Sequence, residues 1–375
     1  MLPPGWAMKR CGRKSEMAKN SILPIFIPQG GCPHRCVFCN QQEISGCHQL
    51  PQPAELAGLI PSDFPAEGEL AFYGGSFTAL PPDVLKSYLR FAAEQKEKGR
   101  ISHIRVSTHP AYVDEAMIAK LLSYGVDFLE LGVQSLDDAV LKKAGRGHGS
   151  KAVFAALNAL ASSALAWGVQ LMLGLPSDTE EKDLASVKKV LPYAPQTARI
   201  YPLLVIENTP LASSWRKGSY LPLSLNEAVS ISAKMYALFV LHGVRVIRMG
   251  LQPTEDLKVG GKSLLAGPFH PAFGHLVRTA LKREQMAHAA AGHAGEDIRF
   301  LCAKDDLPLV FGDQKKNIES FAVGRRAAVS GVDLPRGSLA VAPYDKGAKS
   351  KPFAVLSERD FLLKFTQTYR SSYCI

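Results

Sequence analysis

The chain predicts an α/β fold: a partial, TIM-like (β/α)6 barrel followed by a smaller C-terminal accessory region. Three observations carry this. Apolar runs of strand length alternate with stretches of helical spacing from residue 21 to about residue 250. Such serial βα units imply a parallel sheet with right-handed crossovers. No dinucleotide fingerprint opens the chain, and the suggestive polar motifs fall at the C-terminal ends of predicted strands, where barrels of this kind carry their sites.

The elements follow in order. "SILPIFIP" (21–28) reads as a first buried strand, and a cysteine loop follows it. "PAELAGLI" (53–60) is a short helix. "GELAFYGG" (68–75) is a second strand ending in glycines. Residues 81–99 form a helix with proline in its first turn and glycine after its charged end. "ISHIRVST" (101–108) is a third strand, 111–125 a helix closed by Gly125, and "VDFLELGVQ" (126–134) a fourth strand. Helices at 136–145 and 151–166 precede a fifth strand at 168–176, with "WGVQ" read as the helix-to-strand turn. A helix at 179–191, with Thr179 near its cap, leads to a sixth strand at 198–205. The long helix 224–243 and a short strand at 244–248 complete the core. The apolar stretch 152–176 is long enough to span a bilayer. Asn158, Ser162, Ser163 and Gln170 interrupt it, so it reads as a buried helix followed by a buried strand.

Three parts are expected: a basic tail at 1–20, a core at 21–250 and an accessory region at 251–375. The tail has five basic residues against Glu16 and no apolar segment of a secretory signal. It reads as a disordered tail, an early start ahead of Met8 or Met17, or a nucleic-acid arm. After 250 the chain becomes rich in Gly and Pro. A helix at 275–291, strand-like "IRFLCA" and "LAVAPY", an exposed turn at 345–352 and a last helix near 357–369 follow.

Apolar residues make up 46% of the 375 and charged residues 21%, an ordinary soluble composition. Seven cysteines, an odd number with three clustered, argue for a reducing, cytoplasmic setting rather than a disulfide framework. The net charge of +10 permits a polyanionic partner such as RNA.

The clustered cysteines, Cys32, Cys36 and Cys39, stand in "GCPHRCVFCNQ" (31–41) with spacing C-x3-C-x2-C. A structural zinc site would want a fourth ligand from His34, Cys47 or His48, at no familiar spacing. A redox pair, Cys36 and Cys39, would leave Cys32 unexplained. A 4Fe–4S cluster on three thiolates would leave one iron open to a ligand.

This motif, placed after the first strand of a serial βα chain with Phe38 before its last cysteine, resembles the radical S-adenosylmethionine (SAM) superfamily. The resemblance implies a partial barrel of the radical SAM type. It also implies a 4Fe–4S cluster held by Cys32, Cys36 and Cys39, with SAM on the open iron. An electron from the cluster then cleaves SAM to a 5′-deoxyadenosyl radical, and the reductant would be a flavodoxin or ferredoxin. Gly74, Gly75 and Ser76 in "FYGGSF" resemble the motif that receives the methionine amino group. Gln134 in "ELGVQS" and Arg146 in "GRGH" resemble an amide and guanidinium pair reaching the SAM; a guanidinium suits a carboxylate because it offers two parallel hydrogen bonds. "LMLGLP" resembles the fifth-strand turn, and Gln170 and Met172 are read as lining the site.

Residues 20–250 further resemble the radical SAM half of the Elongator catalytic subunit, a tRNA-modifying enzyme. Tyr201, Thr209, Trp215 and Lys217 carry that likeness in "RIYPLLVIENTPLASSWRKGSY". RNA, and tRNA first, is therefore the expected substrate. There are two departures. Ser107 in "STHP" replaces a carboxylate that would bind the adenosine part of SAM, with Thr108 or a water as substitutes, and His109 replaces an arginine. No acyl-CoA phosphate loop is found, so the acetyl-transfer half of the chemistry is not carried over. "AGPFHPAFG" (266–274) reads as a substrate wall or a plain turn, with His270 as a candidate acid/base group. One alternative is a radical SAM enzyme acting on a small metabolite or tetrapyrrole, since "GVQS" and "GRGH" are also similar to the coproporphyrinogen-oxidase branch. A methylthiotransferase is disfavoured because no cysteine domain precedes the core. A second alternative is a non-catalytic RNA-binding iron–sulfur or zinc scaffold. No membrane association is expected, and the oligomeric state is left open.

Overall fold

The structure is a computed structural model that describes residues 21–47, 49–52, 54–251, 260–344 and 352–368. The basic tail at 1–20, Cys11, His48, most of the turn at 345–352, and Cys374 lie outside the described residues.

Strand β1 (Ile22–Phe26) leads through the cysteine loop to two short helices, α1 (Gln41–Ser45) and α2 (Leu56–Leu59). Then come β2 (Glu69–Tyr73), α3 (Pro82–Glu97), β3 (His103–Thr108), α4 (Glu115–Ser123), β4 (Phe128–Gln134), α5 (Asp138–Lys143) and α6 (Ser150–Ala161). The second half runs β5 (Ala166–Leu173), α7 (Glu180–Val190), β6 (Thr197–Pro202), β7 (Val205–Ile206), α8 (Pro210–Arg216), α9 (Leu225–Leu241) and β8 (Arg245–Met249). The strands β1-β2-β3-β4-β5-β6-β8 form one sheet in that order, every neighbouring pair parallel. It is a curled half-barrel, as the serial βα pattern predicts.

The strand sequences alternate with period two, and each face has its own chemistry. Leu70, Phe72, Ile104, Val106, Leu129, Leu131, Val133, Val169, Leu171 and Ile200 are buried in one apolar core with the helices. Fully burying a side chain such as Phe72 contributes roughly 1.5–3 kcal/mol. The alternate positions, including Tyr73, Arg105, Ser107, Glu130, Gln134, Gln170, Arg199 and Tyr201, face the concave side. The helices start where local chemistry allows. Asp114 caps α4 by accepting from Met117 N at 2.8 Å. Ser224 and Glu227 form a reciprocal capping box on α9.

Two expectations shift. "WGVQ" is not a turn: Trp167 to Gln170 lie inside β5. The turn is at Ser162–Leu165, where Ser163 Oγ donates to Leu160 O and accepts from Leu165 N. Gly168 serves packing instead, since a Cβ there would stand 2.2 Å from Thr197 Oγ1. The short helices α1 and α8 were not anticipated. No helix among the described residues is long and apolar enough to cross a membrane.

Strand β9 (Leu264–Ala266) pairs antiparallel with β7. Helix α10 (Phe273–Ala290) follows, and then β10 (Ile298–Ala303), α11 (Leu307–Phe311), α12 (Lys316–Phe321), β11 (Ala327–Val332), β12 (Leu339–Pro343), β13 (Ala354–Leu356) and α13 (Glu358–Gln367). The last four strands form a separate sheet ordered β11-β10-β12-β13. Phe300, Cys302, Leu339 and Val341 give that sheet its own core with Val310 and Ile318. Helices α10 and α13 instead place Phe273, Val277, Phe361 and Phe365 in the barrel's core.

Candidate functional site

The cysteine loop is locked to the end of β2 by glycines. Gln29 N donates to Gly74 O at 2.9 Å and Ser76 N to Gly30 O at 2.8 Å. A Cβ on Gly75 would lie 2.4 Å from Gly30 O, and one on Gly31 2.2 Å from Ser76 O. Only glycine lets these two backbone turns approach so closely. Gly74 has φ +89°, and the nearest atom to a Cβ there would be the end of a flexible side chain, Gln41 Oε1 at 3.3 Å.

The far side of the loop rests on the segment after α5. Val37 N donates to Ala144 O at 3.0 Å, and Leu211 N of α8 donates to Val37 O at 2.9 Å. Thr209 caps α8 by accepting from Ala212 N at 3.1 Å. The Tyr201–Lys217 run thus builds a buttress for the loop; Lys217 is exposed at its end. Phe38, Met172, Tyr201 and Trp215 share one apolar cluster beneath. His34 packs its ring on Gly147, where a Cβ would be 1.9 Å from it.

Within this frame Cys32 is exposed and Cys36 and Cys39 are half-buried. Arg146, 7% exposed, donates from Nη1 to Cys36 Sγ at 3.2 Å. Its Nη2 donates to Gly132 O. Gln41 Nε2 donates to Cys39 Sγ at 3.4 Å. Burial first, then Cys36, raises the Cys32 thiol, while Arg146 opposes the rise. Burial, then Cys36, pushes the Cys39 thiol up to about 12. Cys36 acts on both of the other thiols, and taking up a metal group would release the protons of all three. Among the described residues no three Cys, His, Asp or Glu side chains are gathered to hold a single metal ion. A tetrahedral zinc at about 2.3 Å from each sulfur would need that tighter grouping.

Gln134 ends β4, the strand that Arg146 ties to the loop. This residue sits at φ +68°, beside a register shift between Gly132 and Gln134. A non-glycine residue held there stores strain, and such strain clusters at functional positions. Gln134 Oε1 and Arg146 Nε are both buried and have no hydrogen-bond partner among the described residues. Orphaned polar atoms beside three thiols are what a bound polar ligand would satisfy. Gln170 stands between Gly132 and Arg199 in register, and Met172 beside Tyr201.

Other expected residues are already engaged. Ser76 Oγ, 1% exposed, lies 3.3 Å from Thr108 Oγ1 and accepts from His109 N at 3.2 Å. Thr108 faces Thr78 Oγ1 at 2.6 Å, on the helix side, so it does not stand in for a concave-face carboxylate. His109 Nε2 meets Arg146 O at 3.0 Å and its ring lies edge-on to His148 at 4.3 Å. Burial lowers His109 to about 3, and both rings stay neutral around Arg146. His270 Nδ1 accepts from Ala272 N at 3.1 Å, which spends it on its own turn. Phe269 packs with Leu204, Ile206 and Ile44, so part of the 266–274 stretch covers the barrel mouth.

The residues missed by sequence reasoning form an ionic chain across the concave face. Glu130 Oε1 accepts from Arg105 Nη1 at 2.8 Å and from Arg199 Nε and Nη2 at 3.0 and 2.6 Å. Its Oε2 has only Ser107 Oγ, at 3.5 Å. Glu69 holds Arg105, and the Tyr73 and Tyr201 hydroxyls accept from Arg199 at 3.2 and 3.1 Å. Burial, then Glu130, pushes the Tyr73 phenol up to about 12. The available signal was the charged and phenolic residues at alternate positions of β2, β3, β4 and β6: Glu69 and Tyr73, Arg105, Glu130, and Arg199 and Tyr201.

Comparison with known proteins gives three findings. A family model described as the radical SAM superfamily matches residues 26–189, and one described as the radical SAM C-terminal domain matches 195–283. A protein of Methanocaldococcus infernus named tRNA uridine(34) acetyltransferase is 27% identical over 259 residues, 56% of this chain and 48% of that one. Elongator complex protein 3 of Homo sapiens is 27% identical over 190 residues, 45% of this chain and 35% of that one. The chain thus spans about half the length, or less, of these curated relatives. The solved structure of archaeal Methanocaldococcus infernus Elp3 lacking residues 1–46 has a TM-score of 0.55 at 23% identity. It covers 71% of this chain and 63% of that one, which shows a common fold.

Proposed function

The chain belongs to the radical SAM superfamily, and on that premise we propose that it is an enzyme that cleaves SAM reductively to modify RNA, with tRNA as the substrate. The family implies a 4Fe–4S cluster and SAM; their placement on these residues is our assignment. Cys32, Cys36 and Cys39 would hold the cluster. Gly74, Gln134, Arg146, Gln170 and Met172 would surround the SAM. When bound, the cluster supplies the electron that cleaves SAM to a 5′-deoxyadenosyl radical.

The chain's own residues do the rest. Arg146 lowers the cost of negative charge on the thiolates and fixes Cys36 relative to β4. Its free Nε and the free Gln134 Oε1 offer one donor and one acceptor to an amino-acid group. Gly75 and Gly31 hold the loop against β2. Phe38, Met172 and Tyr201 make an apolar wall that excludes water from a reactive centre. Ser76 supports this arrangement from behind. Ser107 Oγ lies 3.5 Å from Glu130 Oε2. The observation that carries the reading is Arg146, which donates to Cys36 of the three-cysteine loop and, with Gln134, leaves a buried polar atom unpartnered among the described residues.

The names of the similar proteins and the net charge of +10 support RNA as substrate. Residues 251–375 would form the accessory region that meets it. Binding of unmodified tRNA across a salt series tests this. A tRNA-directed enzyme binds less tightly as salt rises, because phosphate contacts release counterions. No binding at low salt would remove the tRNA assignment. Comparing modified nucleosides in tRNA from a deletion strain and its parent would name the product.

A further inference from the structure

The outer rim of the cysteine loop is basic, and nothing in the SAM-facing arrangement uses it. Arg35 is exposed in the loop itself. Its carbonyl oxygen would be 3.2 Å from a Cβ on Gly145, so the loop lies directly on the end of α5. Lys142 and Lys143 are exposed in the last turn of α5, and Lys151 is exposed in the first turn of α6. Asp138 ties these two helices by accepting from Ser150 N at 2.6 Å. None of the four cations forms an ion pair with another described residue. Asp137 is held by Lys182.

We infer that this rim, Arg35 with Lys142, Lys143 and Lys151, is the docking face for a small acidic electron-carrier protein. The inference rests on the proposed reductive function, which needs an electron delivered from outside. Electron transfer needs no entry into the concave face. It needs a negatively charged carrier held close to the thiols, and Cys32 to Arg35 are exposed on the loop that carries them. An RNA substrate has a different task, since its reacting atom must reach the concave side. The balance is simple. A carrier with a reduced flavin gives up one electron, passing from hydroquinone to semiquinone, and the site takes up that electron; no bond forms between the proteins. Clustered like charges on one partner raise the association rate with an oppositely charged one and make it salt-dependent.

The test uses the full chain, anaerobically reconstituted, with an acidic bacterial flavodoxin as the probe. Affinity is read from flavin fluorescence anisotropy at low and at moderate salt. Lys142→Glu/Lys143→Glu is compared with Lys86→Glu/Arg90→Glu, which reverses two exposed cations on α3. The expected result is a flavodoxin affinity that falls about tenfold or more with the α5 pair and is unchanged with the α3 pair. Cluster reduction by flavodoxin hydroquinone, followed by bleaching, should slow in parallel, while reduction by dithionite is unaffected. Equal effects from both pairs, salt-insensitive binding, or loss of tRNA binding with flavodoxin affinity intact would each overturn the assignment. The dithionite arm separates the two proposals: if dithionite-reduced protein forms no 5′-deoxyadenosine from SAM, the radical reading fails whatever flavodoxin does.

Discussion

Arg146 Nη1 donates to Cys36 Sγ at 3.2 Å across 110 positions of sequence. The same guanidinium donates to Gly132 O on β4, so one side chain ties the cysteine loop to the concave face. Removing it strands a buried carbonyl and loosens Cys36. Arg146→Ala should cost about 1–3 kcal/mol in urea unfolding, the usual penalty for an unsatisfied buried group. It should also lower iron incorporation. Arg146→Lys keeps the charge but cannot fork to both acceptors, so it should recover iron content only in part. A variant with full iron content and unchanged stability would contradict this.

Gly75→Ala should harm the site more than Gly74→Ala. The first drives a Cβ to 2.4 Å from Gly30 O, a backbone atom that cannot rotate away. The second meets strain from φ +89° and a 3.3 Å contact that the Gln41 side chain can yield, at roughly 1 kcal/mol. Thermal melts and iron content of both variants decide, and the opposite ranking counts against the interlocked turns.

Glu130 holds two buried guanidinium groups. Breaking such an arrangement by removing one partner costs about 3–5 kcal/mol, because charge is left uncompensated. Glu130→Ala should fall in that range by urea unfolding, with a smaller loss for Glu130→Gln. A loss under about 1 kcal/mol would show the chain of charges to be incidental.

Asp178 and Asp183, just after β5, face each other. Burial raises Asp178 to about 6 and raises Asp183 further, with Asp178 adding to the effect. Folded values above the unfolded ones mean stabilisation that is present in acid and lost as pH rises through the folded values. Asp183→Asn removes one carboxyl from the pair. Its melting temperature relative to the parent should therefore climb between about pH 5 and pH 8. A difference that is flat across that window contradicts a shared proton.

The order of strands and helices was legible because apolar runs change period between strand and helix. The cysteine loop was legible from its spacing alone. Gly168 misled, since a glycine after an apolar helix reads as a turn, yet here it makes room for Thr197 inside a strand. Strand β11, "AAVSGV", carries few β-branched residues and is a strand because β10 pairs with it. Helix α8 is seven residues long and its role depends on Val37, far away in sequence. Gly75 drew attention as a ligand contact, but its neighbour is the backbone of Gly30. The Glu130 chain needed four strands in register before any of its members acquired a partner.

We propose that Cys32, Cys36 and Cys39 hold a cluster that cleaves SAM. The direct measurement is 5′-deoxyadenosine formed from SAM by anaerobically reconstituted, dithionite-reduced protein, read beside iron content. About four irons per chain and 5′-deoxyadenosine are expected from the parent, with both lost in Cys36→Ala. A fully loaded cluster that yields no 5′-deoxyadenosine, with or without tRNA present, would contradict it.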